Sequence, residues 1–206
     1  MNFEEGLKKV DEANRQIVEA NGMVTDVIAT TFIYSWKWWF GVALIVVPWA
    51  TWFIIRERKS TGRLLCAGLF IMIFSAVLDT LGIENGLWTY PVKVIPSPTI
   101  SFSFRLSVLP VLAMVFIQYK PRIHPFLKAV VYGGGAAYIG LPLLATIDMY
   151  KKINWQYSYS FGILTVMYLT AYSLYNLNSY DKVQPEAKER TSRVNVEYFR
   201  RKQGAR

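Results

Sequence analysis

The chain contains one cysteine, Cys66, and one histidine, His124, among its 206 residues. A lone thiol cannot close an intramolecular disulfide, and one histidine with one cysteine cannot assemble a His/Cys metal cluster. Cys66 therefore reads as an ordinary packed thiol. A Ser/His/Asp triad would have to bring His124, in the turn between Pro121 and Pro125, to acids that lie mostly at the other end of the apolar stretches. Phosphate-cradling loops are missing as well. Gly133, Gly134 and Gly135 fall inside an apolar run. The amino-terminal segment lacks the continuous apolar core of a cleavable signal peptide. It holds Glu4, Glu5, Asp11 and Glu19 instead. No catalytic residue, metal site or cofactor is expected, and an enzyme is the less favoured reading.

What is abundant is apolar and aromatic side chain, 53% and 16% of the chain, with a mean hydropathy of +0.23. Charged residues crowd into short clusters. Between them lie five mostly apolar stretches, at 38–55, 64–83, 100–118, 126–147 and 160–177. Each is close to the ~20 residues that cross a bilayer as a helix. In hydrocarbon every backbone N–H and C=O must be satisfied within the segment, so runs of this length predict helices rather than lone strands. The expected fold class is all-α: a polytopic membrane protein of five transmembrane helices preceded by an amphipathic amino-terminal helix. Its expected parts are an extracytoplasmic helix at 1–35, a five-helix transmembrane domain at 36–178 and a basic tail at 179–206.

The net charge of +9 raises the possibility of a nucleic-acid partner, but the positions of the bases favour a membrane topology instead. Fifteen of the 23 bases fall on one side of the expected spans: Arg56, Arg58, Lys59 and Arg63 after the first, Lys120, Arg122 and Lys128 after the third, and eight between Lys182 and Arg206. Seven lie on the other side, and Arg105 falls inside the third span. The positive-inside rule puts the larger set in the cytoplasm, with the amino terminus outside. The first span is then the insertion signal of a multi-pass cell-membrane protein. Expected partners are the lipid bilayer, anionic lipid headgroups at the basic tail, and a second copy or another membrane protein; no nucleic acid is expected.

The amino-terminal segment places Phe3, Leu7, Val10, Asn14, Ile17, Asn21, Val24 and Ile28 on one seam of alternating four- and three-residue spacing. Asn14 and Asn21 on that seam suit a register-fixing self-association; the alternative is a helix lying on the membrane or on its own bundle. Trp36, Trp38 and Trp39 suit the outer headgroup layer, and Pro48, which lacks an N–H, is expected to kink the first span near its middle. The loop carrying Trp88, Tyr90 and Pro91 is expected to hold its rings at the membrane interface. In the fourth span, Gly133, Ala137 and Gly140 put small residues on helical faces, the pattern of close helix packing. The alternative is an unwound segment whose carbonyls line a cavity.

Ionisable groups within spans are the strongest functional pointers, because each is costly in hydrocarbon unless paired or hydrated. Asp79, near the outer end of the second span, and Arg105, near the outer end of the third, fall at similar depth. They are expected to form an intramembrane ion pair, serving either helix registry or a solute site.

The run Leu78, Asp79, Gly82, Gly86, Leu87, Trp88, Tyr90, Pro91, Pro96, with Leu109, Pro110, Val111, Gln118 and Tyr119, resembles the CBO0543 family of small polytopic membrane proteins of endospore-forming Firmicutes. Trp155, Tyr157, Ser158 and Tyr159 fit the same pattern, which covers the second to fifth spans. The resemblance implies a bacterial cell membrane and five helices, and it supplies no catalytic residue. The family pattern carries acids where this chain has Arg105 and Leu141, so no shared acidic site is carried over. Three functions remain in contention. The leading one is a non-enzymatic subunit or scaffold of a membrane assembly. A small-solute channel or transporter with a site near Asp79 and Arg105 comes next. A lipid-directed enzyme using Asp79, Glu84 and Asp148 is the weakest.

Overall fold

A computed structural model describes residues 2–95 and 104–177. The basic tail, and Pro96 with the start of the expected third span, lie outside the described residues. The described fold is helical. Helix α1, Phe3–Val27, starts from a capping box. Asn2 Oδ1 accepts from the Glu5 backbone N–H at 2.8 Å. In return, Glu5 Oε2 accepts from the Asn2 N–H at 3.1 Å. None of the residues of α1 is buried, and its apolar seam is exposed until Ile28, which is buried in the π turn Ile28–Phe32 that follows.

Helix α2 spans Trp36–Ile55 and α3 Thr61–Glu84, joined by a 3-10 turn at Arg58–Ser60. A π turn at Phe104–Val108 leads into α4, Leu109–Gln118. The fourth apolar stretch is built from α5, Pro125–Gly134, a π turn at Gly135–Gly140, and α6, Leu141–Thr146; α7 is Tyr157–Tyr175. Three of these stretches are long and apolar enough to cross a membrane: Trp36–Ile55, Arg58–Glu84 and Pro125–Thr146. Helix α7, with 19 residues, has the length but dilutes its apolar content with Tyr, Ser and Thr. The described part of the third stretch, Phe104–Gln118, is apolar but shorter. At helical rise it is about 22 Å long.

The ends of these helices alternate between two faces of the bundle. At one face, Lys37 at the start of α2 binds Asp148 beyond α6 at 2.7 Å, and the Trp38 indole donates to the Val94 carbonyl at 3.0 Å. The short strands β1, Trp88–Thr89, and β2, Lys151–Lys152, pair antiparallel on the same side, Trp88 opposite Lys152. At the other face, Gln118 ends α4 by donating to the Ile55 carbonyl at 3.3 Å and accepting from the Glu57 N–H at 3.2 Å. There the ammonium of Lys128 donates to the carbonyls of Tyr119, at 2.6 Å, and Ile117, at 3.3 Å. These are groups that the end of α4 leaves open. Lys128 is thus buried as a helix cap, not a free surface charge.

Packing inside the bundle follows from small residues and from the gaps prolines leave. Pro110 has no N–H to offer the Leu106 carbonyl. The Trp49 indole of α2 donates to that carbonyl instead, at 2.8 Å. Ser107 answers from the other side, donating to Ile45 at 2.8 Å. A Cβ on Gly133 would stand 2.5 Å from Thr165 Oγ1 and 3.0 Å from the Phe161 carbonyl. Helix α5 therefore approaches α7 as closely as a bare backbone allows. Among the described residues two hydrophobic cores result. One, around Trp52, Leu64, Met114, Ala129 and Tyr168, joins α2, α3, α4, α5 and α7; the other, around Trp88, Tyr90, Leu144, Met149 and Tyr150, caps the opposite end.

Candidate functional site

Asp79 is carried on the buried face of α3, in line with Leu64, Gly68, Ile71, Ser75 and Gly82 at three- and four-residue spacing. Just beyond Gly82 the helix stops in a hydrogen-bonded reversal. Gly86 takes the left-handed conformation that ends many helices, with a positive φ that glycine adopts without strain. Its N–H donates to the Ile83 carbonyl at 3.0 Å, and the Leu87 N–H donates to the Gly82 carbonyl at 2.8 Å. The chain therefore turns back over its own last turn, and Trp88 lies against Gly82. A Cβ on Gly82 would overlap the indole ring, so only glycine leaves it room.

This reversal surrounds the Asp79 carboxylate with donors. The Trp88 indole N–H reaches Oδ1 at 2.9 Å, and the Tyr90 hydroxyl donates at 3.0 Å to Oδ2 and 3.1 Å to Oδ1. Arg105 closes the set as an ion pair on Oδ2, its Nη1 also donating to the Ala76 carbonyl of α3 at 3.3 Å and its guanidinium facing the Tyr90 ring. Arg105 is 1% exposed and Asp79 8%. The structure thus brings together the two ionisable residues that stand out in the sequence, and adds two aromatic partners expected at the membrane interface. Only Pro91 of that expected interface group is exposed. Trp88 and Tyr90 sit too near a span end for composition to separate an interface ring from one folded inward; the Gly82 and Gly86 spacing is the signal that separates them.

A second ring of aromatics supports the first. Trp88 meets Trp155 edge-on at 4.8 Å, Tyr90 meets Tyr150 at 5.7 Å, and the Trp155 indole donates to Ser160 Oγ at 2.8 Å. Burial and the neighbouring Tyr150 push the Tyr90 hydroxyl well above the ordinary phenol range. Burial, helped by Tyr157, raises Tyr150 to about 12, and burial draws Lys93 down to about 8. The other acids weighed in the sequence stand apart in role. Glu84 is exposed at the end of α3, and Asp148 is taken by Lys37. His124 caps α5, its Nδ1 accepting from the Phe126 N–H at 3.3 Å. Among the described residues no group of three His, Cys, Asp or Glu could hold a metal ion.

Beneath this network is a cavity of about 350 Å³. Its walls come from both hydrophobic cores: Leu78, Leu109, Leu164 and Met167 on one side, Leu141, Leu144, Tyr150 and Trp155 on the other. Of the three small residues picked out in the fourth span, Gly133 and Ala137 are buried, Gly133 against α7, whereas Gly140 lines the cavity with Gly135 and Ala136. Ala137 and Gly140 both belong to the π turn Gly135–Gly140. Such turns recur at functional sites.

No family model, curated protein or solved structure matches this chain. What the site can do therefore rests on its own geometry.

Proposed function

We propose that the chain is a five-span integral membrane protein of the cell membrane, acting as a non-enzymatic subunit or scaffold of a membrane assembly. The observation that carries this reading is the saturation of Asp79. Both of its oxygens are engaged by Trp88, Tyr90 and Arg105, and the pair is buried. With both oxygens already engaged, the pair is read as fixing the registry of the two helices it joins. The pair joins α3 to the start of α4 and, through Trp88 and Tyr90, to the cap.

Five crossings, with 1–35 outside and 179–206 in the cytoplasm, are supported by the alternation of helix ends between the two faces and by the concentration of bases at the Gln118 and Lys128 face. Trp36 and Trp39, exposed at the other face, suit the headgroup layer. Membership of the family that the Asp79 to Tyr119 run resembles belongs to the same proposal. The exposed seam of α1 is the surface offered to a second copy or another membrane protein, and anionic lipid is the partner proposed for the tail.

The test is solute and proton flux in proteoliposomes, run beside thermal unfolding in detergent. Flux at the level of empty vesicles, with Asp79→Asn lowering the melting temperature, is expected. Saturable flux that Asp79→Asn abolishes while stability holds would replace the scaffold with a transporter.

A further inference from the structure

The cavity has walls of an unusual kind for a polar ligand. Most hydrogen-bonding side chains on it are engaged within the protein, the exception being Arg105, whose buried Nε has no hydrogen-bond partner among the described residues. Asp79 is saturated as described, Ser160 accepts from Trp155, Ser75 donates to the Met72 carbonyl at 3.1 Å, and Asn85 donates to the Leu81 carbonyl at 2.7 Å. What remains is a surface of leucine, isoleucine, methionine, phenylalanine and glycine. Water gains little there, since apolar cavities stay dry and one of about 150 Å³ already binds benzene. At about 350 Å³ this one is more than twice that size. It falls within the range of small-molecule sites.

On the membrane-spanning reading, the side of the cavity bounded by α3 and α4 faces lipid. Leu81 on α3 and Leu112 on α4 line the cavity and are also 52% and 40% exposed on the sides of their helices. The fourth stretch widens into its π turn beside the cavity, and a Cβ placed on Gly135 would meet nothing within 4 Å. At its outer end the aromatic cap roofs the space. On that reading, an apolar chamber bounded by the lipid-facing sides of α3 and α4 takes an apolar occupant from the bilayer.

We propose that the cavity beneath the Asp79 cluster binds a long alkyl chain, entering from the bilayer past Leu81 and Leu112 and lying against Gly135, Gly140 and Met167. The proposal rests on the membrane-spanning reading and deepens the scaffold: the subunit holds a lipid chain in its core. Either a free fatty acid or the acyl tail of a phospholipid supplies this chemistry, because the site recognises the chain.

The experiment uses the full-length protein in nanodiscs containing palmitic acid with a mid-chain diazirine or, in a parallel arm, a phospholipid carrying the same modified chain. After illumination the crosslinked peptides are mapped. Labelling of the α4 and α7 segments that bear Leu112 and Met167 is expected to saturate with probe and to be displaced by unlabelled palmitate. Labelling of Val46, Val47 and Ile54 on the exposed face of α2 is expected to rise without saturation, as for lipid that merely surrounds the protein. Gly135→Leu fills open space. It should lower the cavity labelling about tenfold, a loss equivalent to about 1.4 kcal/mol of binding. The arm that saturates names the source. Labelling of α2 with no saturable component at α4 and α7 in either arm overturns the cavity proposal and leaves the membrane reading standing. Labelling of no helix overturns both, and the wild-type titration decides even if Gly135→Leu fails to fold.

Discussion

Replacing Arg105 with methionine should destabilise the protein severely. The guanidinium is 1% exposed and pairs with a carboxylate that is itself buried, so its removal leaves the Asp79 charge in an apolar core with the neutral donors of Trp88 and Tyr90 alone. Breaking one side of such a pair costs about 3–5 kcal/mol, most of it the stranded charge rather than the attraction lost. The companion change Asp79→Leu should cost a similar amount, because it strands Arg105. Together they strand no charge, and replacing both members of a buried pair by apolar groups is often close to neutral. The double variant should therefore lose much less than the sum of the two single losses, although the buried Trp88 and Tyr90 donors it leaves unsatisfied cost about 1–3 kcal/mol each. Thermal unfolding of the four proteins in one mild detergent, followed by near-ultraviolet circular dichroism of the tryptophans, measures this cycle. Strictly additive losses, or a single variant that melts with the wild type, would refute the buried pair.

Gly82→Ala should weaken the protein by about 1–3 kcal/mol through overpacking against Trp88. Gly135→Ala, where a Cβ meets nothing, is the control. Alanine is the better residue at this right-handed helical position, so the variant should match wild type or exceed it by up to about 1 kcal/mol, and paired melting curves separate the two. Lys128→Met leaves the Ile117 and Tyr119 carbonyls unsatisfied. That should cost about 1–3 kcal/mol, and Lys128→Arg should restore part of it in the same assay. Stability should also depend on pH in two opposing windows. Lys93 holds its proton in the unfolded chain to about 10.5 but in the folded protein only to about 8, so the unfolded state binds more protons between them and stability rises with pH. Tyr150 reverses this from 10 to about 12, where the folded phenol keeps the proton that the unfolded one loses and stability falls. A maximum near pH 10 is expected, and Lys93→Met should remove its rising limb; a flat profile from 8 to 10 in the wild type counts against the burial of Lys93.

The helices are legible in the sequence wherever apolar length alone determines the structure. The stretches expected at 38–55, 64–83 and 126–147 correspond to Trp36–Ile55, Arg58–Glu84 and Pro125–Thr146, the three long enough and apolar enough to cross a membrane. Asp79 and Arg105 stand out because a charge in such a segment is costly wherever it sits. Their surroundings are not legible. That Trp88 folds under Gly82, or that Tyr90 shares the same carboxylate, depends on the left-handed turn at Gly86. Amphipathic rings near a span end suit the headgroup layer equally well. Lys128 shows the converse. It counts among the cytoplasmic bases, and its place at the base-rich face is consistent with that, but its ammonium is taken up by the end of α4. The small residues of the fourth span carry two readings because they perform two tasks: Gly133 lets α7 close in, and Gly135 with Gly140 opens a cavity.

The five-span account is tested most directly by single-cysteine labelling in intact cells. With Cys66 replaced by serine, cysteines placed at Asn2, Asn85 and Asn154 should react with a membrane-impermeant maleimide, while those at Ser60 and Arg122 should react only after the membrane is opened. Protection at Asn85 alongside reaction at Asn2, or free reaction at Ser60, would contradict the alternation of helix ends on which the account depends.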